Sequence, residues 1–172
     1  MKWRESKQGQ LATEASKLSS NGNHSLALSL LELALEHSPK DQLVLVYYGR
    51  VLHALGRDKE AEHSLREAVA IRSDLCYPWS ELGLLLKDCK RFGEAAECFQ
   101  KSAQLHPDAS TFTLLAELEL SFDADSSFRN AMKALELDPN WDEAIQIAAR
   151  AKAAIAKSDE AGNVIDNIED YL

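Results

Sequence analysis

The sequence predicts an all-α fold in which antiparallel helix pairs stack into a solenoid. Three observations support this prediction. Leu and Ala, both strong helix formers, are the two most frequent residues of the 172. Only 7 Gly and 4 Pro are present, so little of the chain is expected to form loops. Finally, small and apolar residues recur with a period of 34 along the chain, which is the signature of a repeat architecture.

The prolines give the register of the repeat. Pro39 and Pro107 lie two periods apart with Ser73 midway, and Pro139 follows 32 residues after Pro107. Other positions then align at the same offsets and form three columns of small or apolar residues. These columns are Ala27, Ala61, Ala95, Ser127 and Ala161; Leu31, Leu65, Phe99, Ala131 and Ile165; and Ala34, Ala68, Ser102, Ala134 and Ile168.

The third repeat shows how each unit is built. Its first half carries apolar residues at i, i+3, i+4 and i+7, which is one face of a helix, and its second half carries a matching face. The two faces consist of Trp79, Leu82, Gly83 and Leu86 and of Ala95, Phe99 and Ser102. In the first two repeats the intervening turn contains Gly22 and Gly56, which suit a helix end. Each unit is therefore a predicted helical hairpin whose apolar stripe needs a neighbouring hairpin to cover it.

Small residues mark the predicted points of closest helix approach. Gly49 and Gly83 align with each other, and Ala61 and Ala95 stand on the facing helices. A larger side chain at these positions is expected to overpack the core, at a cost of about 1–3 kcal/mol. Trp79 is predicted to fill the core, so its truncation to alanine is expected to cost about 3–5 kcal/mol.

These residues resemble the tetratricopeptide repeat family, and the resemblance implies a single domain over residues 1–172. The predicted repeats are 8–41, 42–75, 76–109 and 108–141, followed by a degenerate capping repeat at 142–172. The fourth repeat is two residues short, so its first helix has two alternative core faces. One is Phe112, Leu115 and Ala116; the other is Thr111, Leu114 and Leu118.

The predicted cap contains a second apolar pattern that restarts at Asp159-Glu160-Ala161. From Ser158 to Leu172 the chain carries five acidic residues and no basic residue. A helix lying on the fourth repeat with an acidic outer face accounts for this composition. Two further interpretations stay open: a docking segment for a basic partner, or a helix that covers the protein's own binding surface.

The resemblance also implies a right-handed superhelix whose concave groove is lined by the first helix of each hairpin. The predicted peptide-binding groove consists of Thr13, Ser16, Leu43, Tyr47, Arg50, His53, Tyr77, Glu81, Leu84 and Lys87. In repeat one, Ser19 also occupies a groove position. Tyr47, Arg50 and Tyr77 form its predicted centre, because Tyr and Arg are enriched at interface hot spots. The alternative is that the two tyrosines only cover the seam between repeats. The Lys and Asn clamp with which one subfamily grips a C-terminal carboxylate is absent from the matching positions.

Composition and motifs argue against several other functions. The net charge of −9 disfavours nucleic-acid binding, which depends on Lys and Arg. No segment has the roughly 20 apolar residues of a membrane span, and no signal peptide is evident. The three cysteines lack a paired or zinc-binding spacing, and no catalytic or phosphate-binding motif is present. No catalytic residue, metal or cofactor is therefore predicted, and a reducing, cytoplasmic location fits the cysteine content.

The sequence accordingly predicts a protein–protein interaction module rather than an enzyme. An adaptor or scaffold that binds a peptide segment of a partner is the leading interpretation. A small cytosolic chaperone for a secretion or assembly client is the alternative, and a homodimer formed through exposed apolar surface would fit it. A third interpretation is an accessory subunit of an enzyme, or one part of a larger protein.

Overall fold

A computed structural model describes the backbone of residues 7–169 and the side chains of residues 7–158. The described chain consists of helices joined by short turns, which confirms the all-α prediction. The helices are α1 Lys7–Ser20, α2 His24–His37, α3 Gln42–Ala54, α4 Asp58–Ile71, α5 Cys76–Asp88, α6 Phe92–Leu105, α7 Ala109–Glu119, α8 Ala124–Leu137 and α9 Asp142–Glu169.

The chain forms two compact units, Met1–Leu105 and His106–Leu172. In the first unit, α1 and α2, α3 and α4, and α5 and α6 form hairpins, and each following hairpin packs on the one before it. In the second unit α7 and α8 form a hairpin, and α9 packs on both of its helices. Stacked helix pairs are thus confirmed within the units, while one domain over residues 1–172 stays a prediction.

The predicted columns form the core of both units as far as Ala134, whereas the side chains of their last members, Ala161, Ile165 and Ile168, lie outside the described residues. In the first unit, Leu31, Leu65 and Phe99 are almost entirely buried, and in the second unit Ala131 is fully buried. The predicted close approaches are also confirmed. A Cβ atom on Gly49 would lie 2.7 Å from Cγ of Leu65, a distance that real Cβ contacts do not show.

One backbone motif ends the first helix of each hairpin in the first unit. Gly22 and Gly56 have φ values of 80° and 74°, and Lys90 occupies the equivalent position with a φ of 61°. In all three turns the next amide donates a 2.9 Å hydrogen bond to the carbonyl five residues earlier, a Schellman arrangement. The third turn therefore holds a lysine in the left-handed conformation that glycine adopts without steric cost.

We expect Lys90→Gly to raise the free energy of unfolding by about 1 kcal/mol, because a side chain at positive φ brings Cβ close to the carbonyl. Urea denaturation followed by circular dichroism measures the change. Lys90→Ala is the matched control, since it removes the long side chain but keeps Cβ, and it should leave stability nearly unchanged. Equal gains for both variants would place the effect in the lysine side chain instead.

The prediction that Trp79 lies in the core is wrong. Its indole is only partly buried, and Nε1 donates a 3.0 Å hydrogen bond to the carbonyl of Ser73. One side of the ring lines a surface cavity between α4, α5 and α6. The cost expected above for a buried tryptophan therefore does not apply at this position.

The capping segment also differs from the prediction of a second helix pair. Residues 142–169 form one continuous helix, α9, and no turn precedes Asp159. The segment between Asp142 and Ser158 contains neither Gly nor Pro and is rich in alanine, so it offers no helix stop. The side chains of the acidic segment from Asp159 onward lie outside the described residues.

The two alternative core faces of the fourth repeat are both partly buried. Leu115 and Ala116 belong to one alternative and are almost fully buried, but Thr111 and Leu118 of the other are also buried. The reason is that α7 contacts both α8 and α9, so more than one of its faces is covered.

Candidate peptide-binding face

The predicted groove residues lie on the first helix of each hairpin in the first unit. There α1 packs beside α3, and α3 packs beside α5. The three helices follow one another at an interval of one repeat, so equivalent positions on them form rows across a common face. We refer to this surface, formed by α1, α3 and α5, as the first-helix face.

Four of the predicted residues contact one another between α3 and α5. The rings of Tyr47 and Tyr77 have centroids 6.5 Å apart and are inclined at 59°. Nη1 of Arg50 donates a 2.9 Å hydrogen bond to the Tyr77 hydroxyl, and its Nε lies 3.4 Å from a carboxylate oxygen of Glu81. We call Tyr47, Arg50, Tyr77 and Glu81 the aromatic–arginine cluster.

The electrostatics of the cluster reflect its uneven burial. Burial raises the pKa of the Glu81 carboxyl, and Arg50 and Tyr77 offset this only in part. Burial, with the nearby Glu81 charge adding to it, raises the pKa of Tyr77 to about 12. Tyr77 is therefore neutral at physiological pH. The Arg50 side chain remains 47% exposed, so the cluster presents a partly solvated guanidinium beside two aromatic rings.

A cavity of about 250 Å³ adjoins the cluster on its α1 side. Ser16, Ser19 and Ser20 of α1 form one wall, and Tyr47 and Arg50 contribute to the opposite wall on α3. The structure thus brings four of the predicted residues, Ser16 and Ser19 of α1 and Tyr47 and Arg50 of α3, together around one concave feature. Its lining combines hydroxyl groups, a guanidinium and part of an aromatic ring.

His53 connects the second and third repeats at the end of the same face. Its Nδ1 lies 2.7 Å from Asp58 at the start of α4, and its Nε2 lies 3.0 Å from Asp88 at the end of α5. Partial burial, the largest single influence, lowers the pKa of His53, but the hydrogen bonds and charges of the two carboxylates outweigh it and raise the pKa above 6.5. As an imidazolium, His53 donates to both aspartates.

We expect His53 to stabilise the fold in acid more than in base. Because its pKa is higher in the folded than in the unfolded state, its contribution is complete below the unfolded value of about 6.5 and is lost as the pH rises through the folded value. The free energy of unfolding, measured in urea between pH 5.5 and 8.5, should lose this component in His53→Gln. If His53→Gln follows the wild-type pH profile instead, the bridge to the aspartates has no energetic role.

The remaining predicted residues lie on the same helices but outside these contacts. The Thr13 hydroxyl donates a 2.7 Å hydrogen bond to the carbonyl of Gly9, within α1. Leu43 is half-buried in the first turn of α3, and Leu84 is exposed on α5. Lys87 is half-buried in the last turn of α5. Five of the ten predicted residues define the candidate site. They are Ser16, which lines the cavity, and Tyr47, Arg50, Tyr77 and Glu81 of the aromatic–arginine cluster.

Other features of the structure concern the prediction that the chain has no catalytic residue, metal or cofactor. Among the residues with described side chains, no group of three or more His, Cys, Asp or Glu is placed to hold a metal ion. Of the three cysteines, Cys76 is half-buried, Cys89 is exposed at the end of α5 and Cys98 is buried. Burial raises the pKa of Cys98 to about 11, which suppresses the reactive thiolate. In the described part of the chain, no helix combines the length and apolar character required to cross a membrane.

Comparison with known proteins places these features in a family. Tetratricopeptide repeat models match residues 18–75 and 78–108. A TPR repeat-containing protein of Dictyostelium discoideum is 35% identical over 65 residues, which is 38% of this chain and 25% of that protein. The chain thus matches only about a quarter of the length of this relative.

Solved structures share the fold at low sequence identity. PilF of Pseudomonas aeruginosa matches with a TM-score of 0.82 and 20% identity, covering 96% of this chain and 76% of that one. A chain in the structure of Naa15/Naa10 bound to HypK-THB matches with a TM-score of 0.75 and 20% identity, covering 97% of this chain and 25% of that one. The two sequence matches to repeat models together span just over half of the chain, and the 34-residue hairpins are those of the same repeat. The chain belongs to the tetratricopeptide repeat family.

Proposed function

We propose that the first-helix face binds a segment of a partner protein and that the chain acts as an adaptor or scaffold. The aromatic–arginine cluster carries this proposal. Tyr and Arg are the residue types that most often dominate binding energy at interfaces, especially beside a pocket that can exclude water. Here two tyrosines and an arginine lie next to a concave cavity on one face of stacked helices.

The geometry favours a segment with an apolar or aromatic anchor and a nearby hydrogen-bond acceptor. The cavity beside Tyr47 is large enough to admit a side chain, and its serine wall tolerates polar groups. Arg50 keeps exposed N–H donors that suit a backbone carbonyl or a carboxylate of the partner. Since Glu81 lies against Arg50, the guanidinium is already oriented before a ligand arrives, which lowers the entropic cost of binding.

The family relationship supports the same function, because tetratricopeptide repeat proteins are generally interaction modules without catalytic activity. One protein of similar fold was solved in the Naa15/Naa10 assembly bound to HypK-THB. The proposed setting is cytoplasmic, in keeping with three cysteines that form no disulfide in the described structure.

Affinity capture from the native cell extract tests the proposal. The wild-type chain is compared with Tyr47→Ala/Arg50→Ala/Tyr77→Ala, and circular dichroism establishes that both are folded. We expect the triple variant to lose a partner that the wild type retains. Single variants of this kind at a hot spot commonly cost 2 kcal/mol or more, which is about a thirtyfold loss of affinity each.

A matched control comes from the exposed side of α4. Lys59→Ala/His63→Ala removes two exposed side chains that lie away from the first-helix face. This variant should capture the same partners as the wild type. The proposal fails if the folded triple variant retains every partner, or if the α4 control loses the same partner to the same extent.

A chaperone function is the second candidate, and one observation favours it. Leu26 and Leu33 stand seven residues apart on one face of α2 and are 55% and 39% exposed. Light scattering coupled to size-exclusion chromatography distinguishes the candidates. A dimer that dissociates in Leu26→Ser/Leu33→Ser would favour a protein that shields apolar surface. A monomer with unchanged behaviour in that variant favours the adaptor.

A further inference from the structure

A second cavity of about 480 Å³ lies outside the first-helix face and has no part in the proposed function. It is lined by residues of α4, α5 and α6, all within the first unit. The partly exposed indole of Trp79 forms its apolar wall. Leu82 and Leu86 of α5 and Cys98 of α6 lie beneath the surface of the cavity and are 2%, 1% and 6% exposed. Its charged groups are those of Arg66 on α4 and of Glu94, Glu97 and Lys101 on α6. The volume falls within the range of about 300–1,000 Å³ typical of small-ligand sites.

The internal repeat explains why this cavity exists. Helices α3 and α4 correspond to α5 and α6 with an offset of 34 residues, so Leu82 is the equivalent of Tyr48. Tyr48 is half-buried and packs against the core of the first two repeats. Its phenol lies close enough to Glu32, Arg57 and Glu60 for their charges to influence its pKa, which burial raises. The third repeat has the same helices but lacks this phenol.

The polar surroundings of Tyr48 are largely reproduced around the cavity. The bidentate pair of Arg57 and Glu60, with contacts of 2.7 and 2.6 Å, recurs one repeat later as Arg91 and Glu94 with the same two distances. The place of Glu32 is taken by Arg66, whose Nε donates a 2.9 Å hydrogen bond to Glu62 and whose Nη2 donates a 3.1 Å hydrogen bond to Glu94. A phenolic oxygen in the cavity would therefore lie near the Arg66 guanidinium, whereas Tyr48 lies near the Glu32 carboxylate.

Trp79 adds an aromatic surface that the second repeat lacks, because its equivalent there is Leu45. The 3.0 Å hydrogen bond from Nε1 to the Ser73 carbonyl fixes one edge of the indole. Aromatic rings attract one another in edge-to-face or offset arrangements, which contribute about 0.5–1.5 kcal/mol beyond the burial of area. The cavity thus offers an aromatic wall, aliphatic side chains and a hydrogen-bond donor for a para-hydroxyl group.

We propose that this cavity binds a tyrosine side chain of a partner protein. The inserted ring takes the position that Tyr48 holds in the preceding repeat and packs against the Trp79 indole, above Leu82 and Leu86. Its hydroxyl accepts a hydrogen bond from Arg66. Tyrosine is favoured over phenylalanine because the charged groups at the mouth would otherwise face an apolar ring edge. The site is separate from the first-helix face, so a partner could engage either surface alone.

The probe is p-cresol, which is the tyrosine side chain without its backbone, and toluene is the matched probe without the hydroxyl. Both are titrated into the ¹⁵N-labelled full chain while the indole N–H resonance of Trp79 is followed by NMR. We expect saturable shifts of this resonance with p-cresol and at least fivefold weaker binding of toluene. Absence of saturable shifts, or equal affinity for the two probes, would overturn the proposal.

Two variants locate the binding. Leu82→Tyr restores the residue of the second repeat and should reduce p-cresol affinity at least tenfold by filling the cavity. Arg66→Gln, an exposed change that leaves the core intact, should weaken p-cresol about fivefold and leave toluene unchanged. If Leu82→Tyr does not fold, Arg66→Gln alone decides the matter, and equal losses for both probes would contradict the predicted hydrogen bond.

The chain's own terminal aromatic residues are the rival occupants. Trp3→Ala and Tyr171→Ala are each titrated with p-cresol in the same way. Affinity equal to that of the wild type supports a site that is open to a partner. A severalfold gain in either variant would show that this chain already fills the cavity, and the assignment to a partner would be wrong.

Discussion

Replacing Phe99 with alanine is expected to lower the free energy of unfolding by about 3–5 kcal/mol. Phe99 is the largest of the fully buried side chains in the described structure and has no exposed surface. Its ring packs directly against the backbone of α5 at Gly83, so its removal leaves a cavity that neither helix can fill without moving. Urea denaturation monitored by circular dichroism measures the loss.

The same helix supplies the control for this prediction. Phe92 is the first residue of α6 and is 47% exposed, so Phe92→Ala removes the same group with little loss of buried contact. It should change stability by no more than about 0.5 kcal/mol. Comparable losses for the two variants would mean that the third hairpin is not held together by the Phe99 contact.

The core of the fold is predictable from sequence because it depends on a repeated pattern. The 34-residue columns identify the buried faces of α2, α4, α6 and α8, and the glycines of the first helices identify the close approaches. Because each repeat meets the same packing requirement, a buried position that is ambiguous in one repeat can be assigned from the equivalent positions in the others. Departures occur where a single repeat differs, as at Leu82, where a smaller residue leaves the neighbouring Trp79 beside a cavity.

Helix ends are predicted less well than helix faces. The glycines of the first two turns mark the left-handed position, but the third turn places Lys90 there and Gly93 inside α6. The backbone motif is set by the helix geometry and survives the loss of glycine at a modest energetic cost. The continuous α9 is a related case, because apolar periodicity reports the buried face and not where a helix stops.

The candidate site is likewise predictable from the sequence only in part. The repeat register predicts that Tyr47, Arg50 and Tyr77 lie in neighbouring rows, and the structure brings them into contact. Their role in binding a partner stays a prediction. The bridge from His53 to Asp58 and Asp88 was not foreseen, since it joins the ends of three helices. The second cavity was also missed, although the alignment of Tyr48 with Leu82 was a signal that could have revealed it.

Gly83→Ala is expected to destabilise the chain by about 1–3 kcal/mol, the usual cost of overpacking. The added Cβ would lie 2.8–3.0 Å from three atoms of the Phe99 ring, which is fully buried and has no room to withdraw. Helix propensity acts in the opposite direction, because alanine is favoured over glycine inside a helix by about 1 kcal/mol. The steric term decides the sign at this position, and urea denaturation measures the net result.

Gly93→Ala separates the two contributions. Gly93 also lies in a helix, but a Cβ there would meet nothing within 4 Å. Only propensity remains, so this variant should gain roughly 0.5 kcal/mol, less than the interior value because Gly93 is in the first turn of α6. A loss of stability in both variants would refute the steric explanation for Gly83.

A double variant tests whether the cost of Gly83→Ala depends on the Phe99 ring. In the Phe99→Ala background the ring that opposes the new Cβ is gone, so adding Gly83→Ala should be neutral or favourable by up to about 1 kcal/mol. The two substitutions are therefore expected to be strongly non-additive, as contacting residues are. Additive losses would mean that the close approach of α5 and α6 at Gly83 is maintained by contacts other than Phe99.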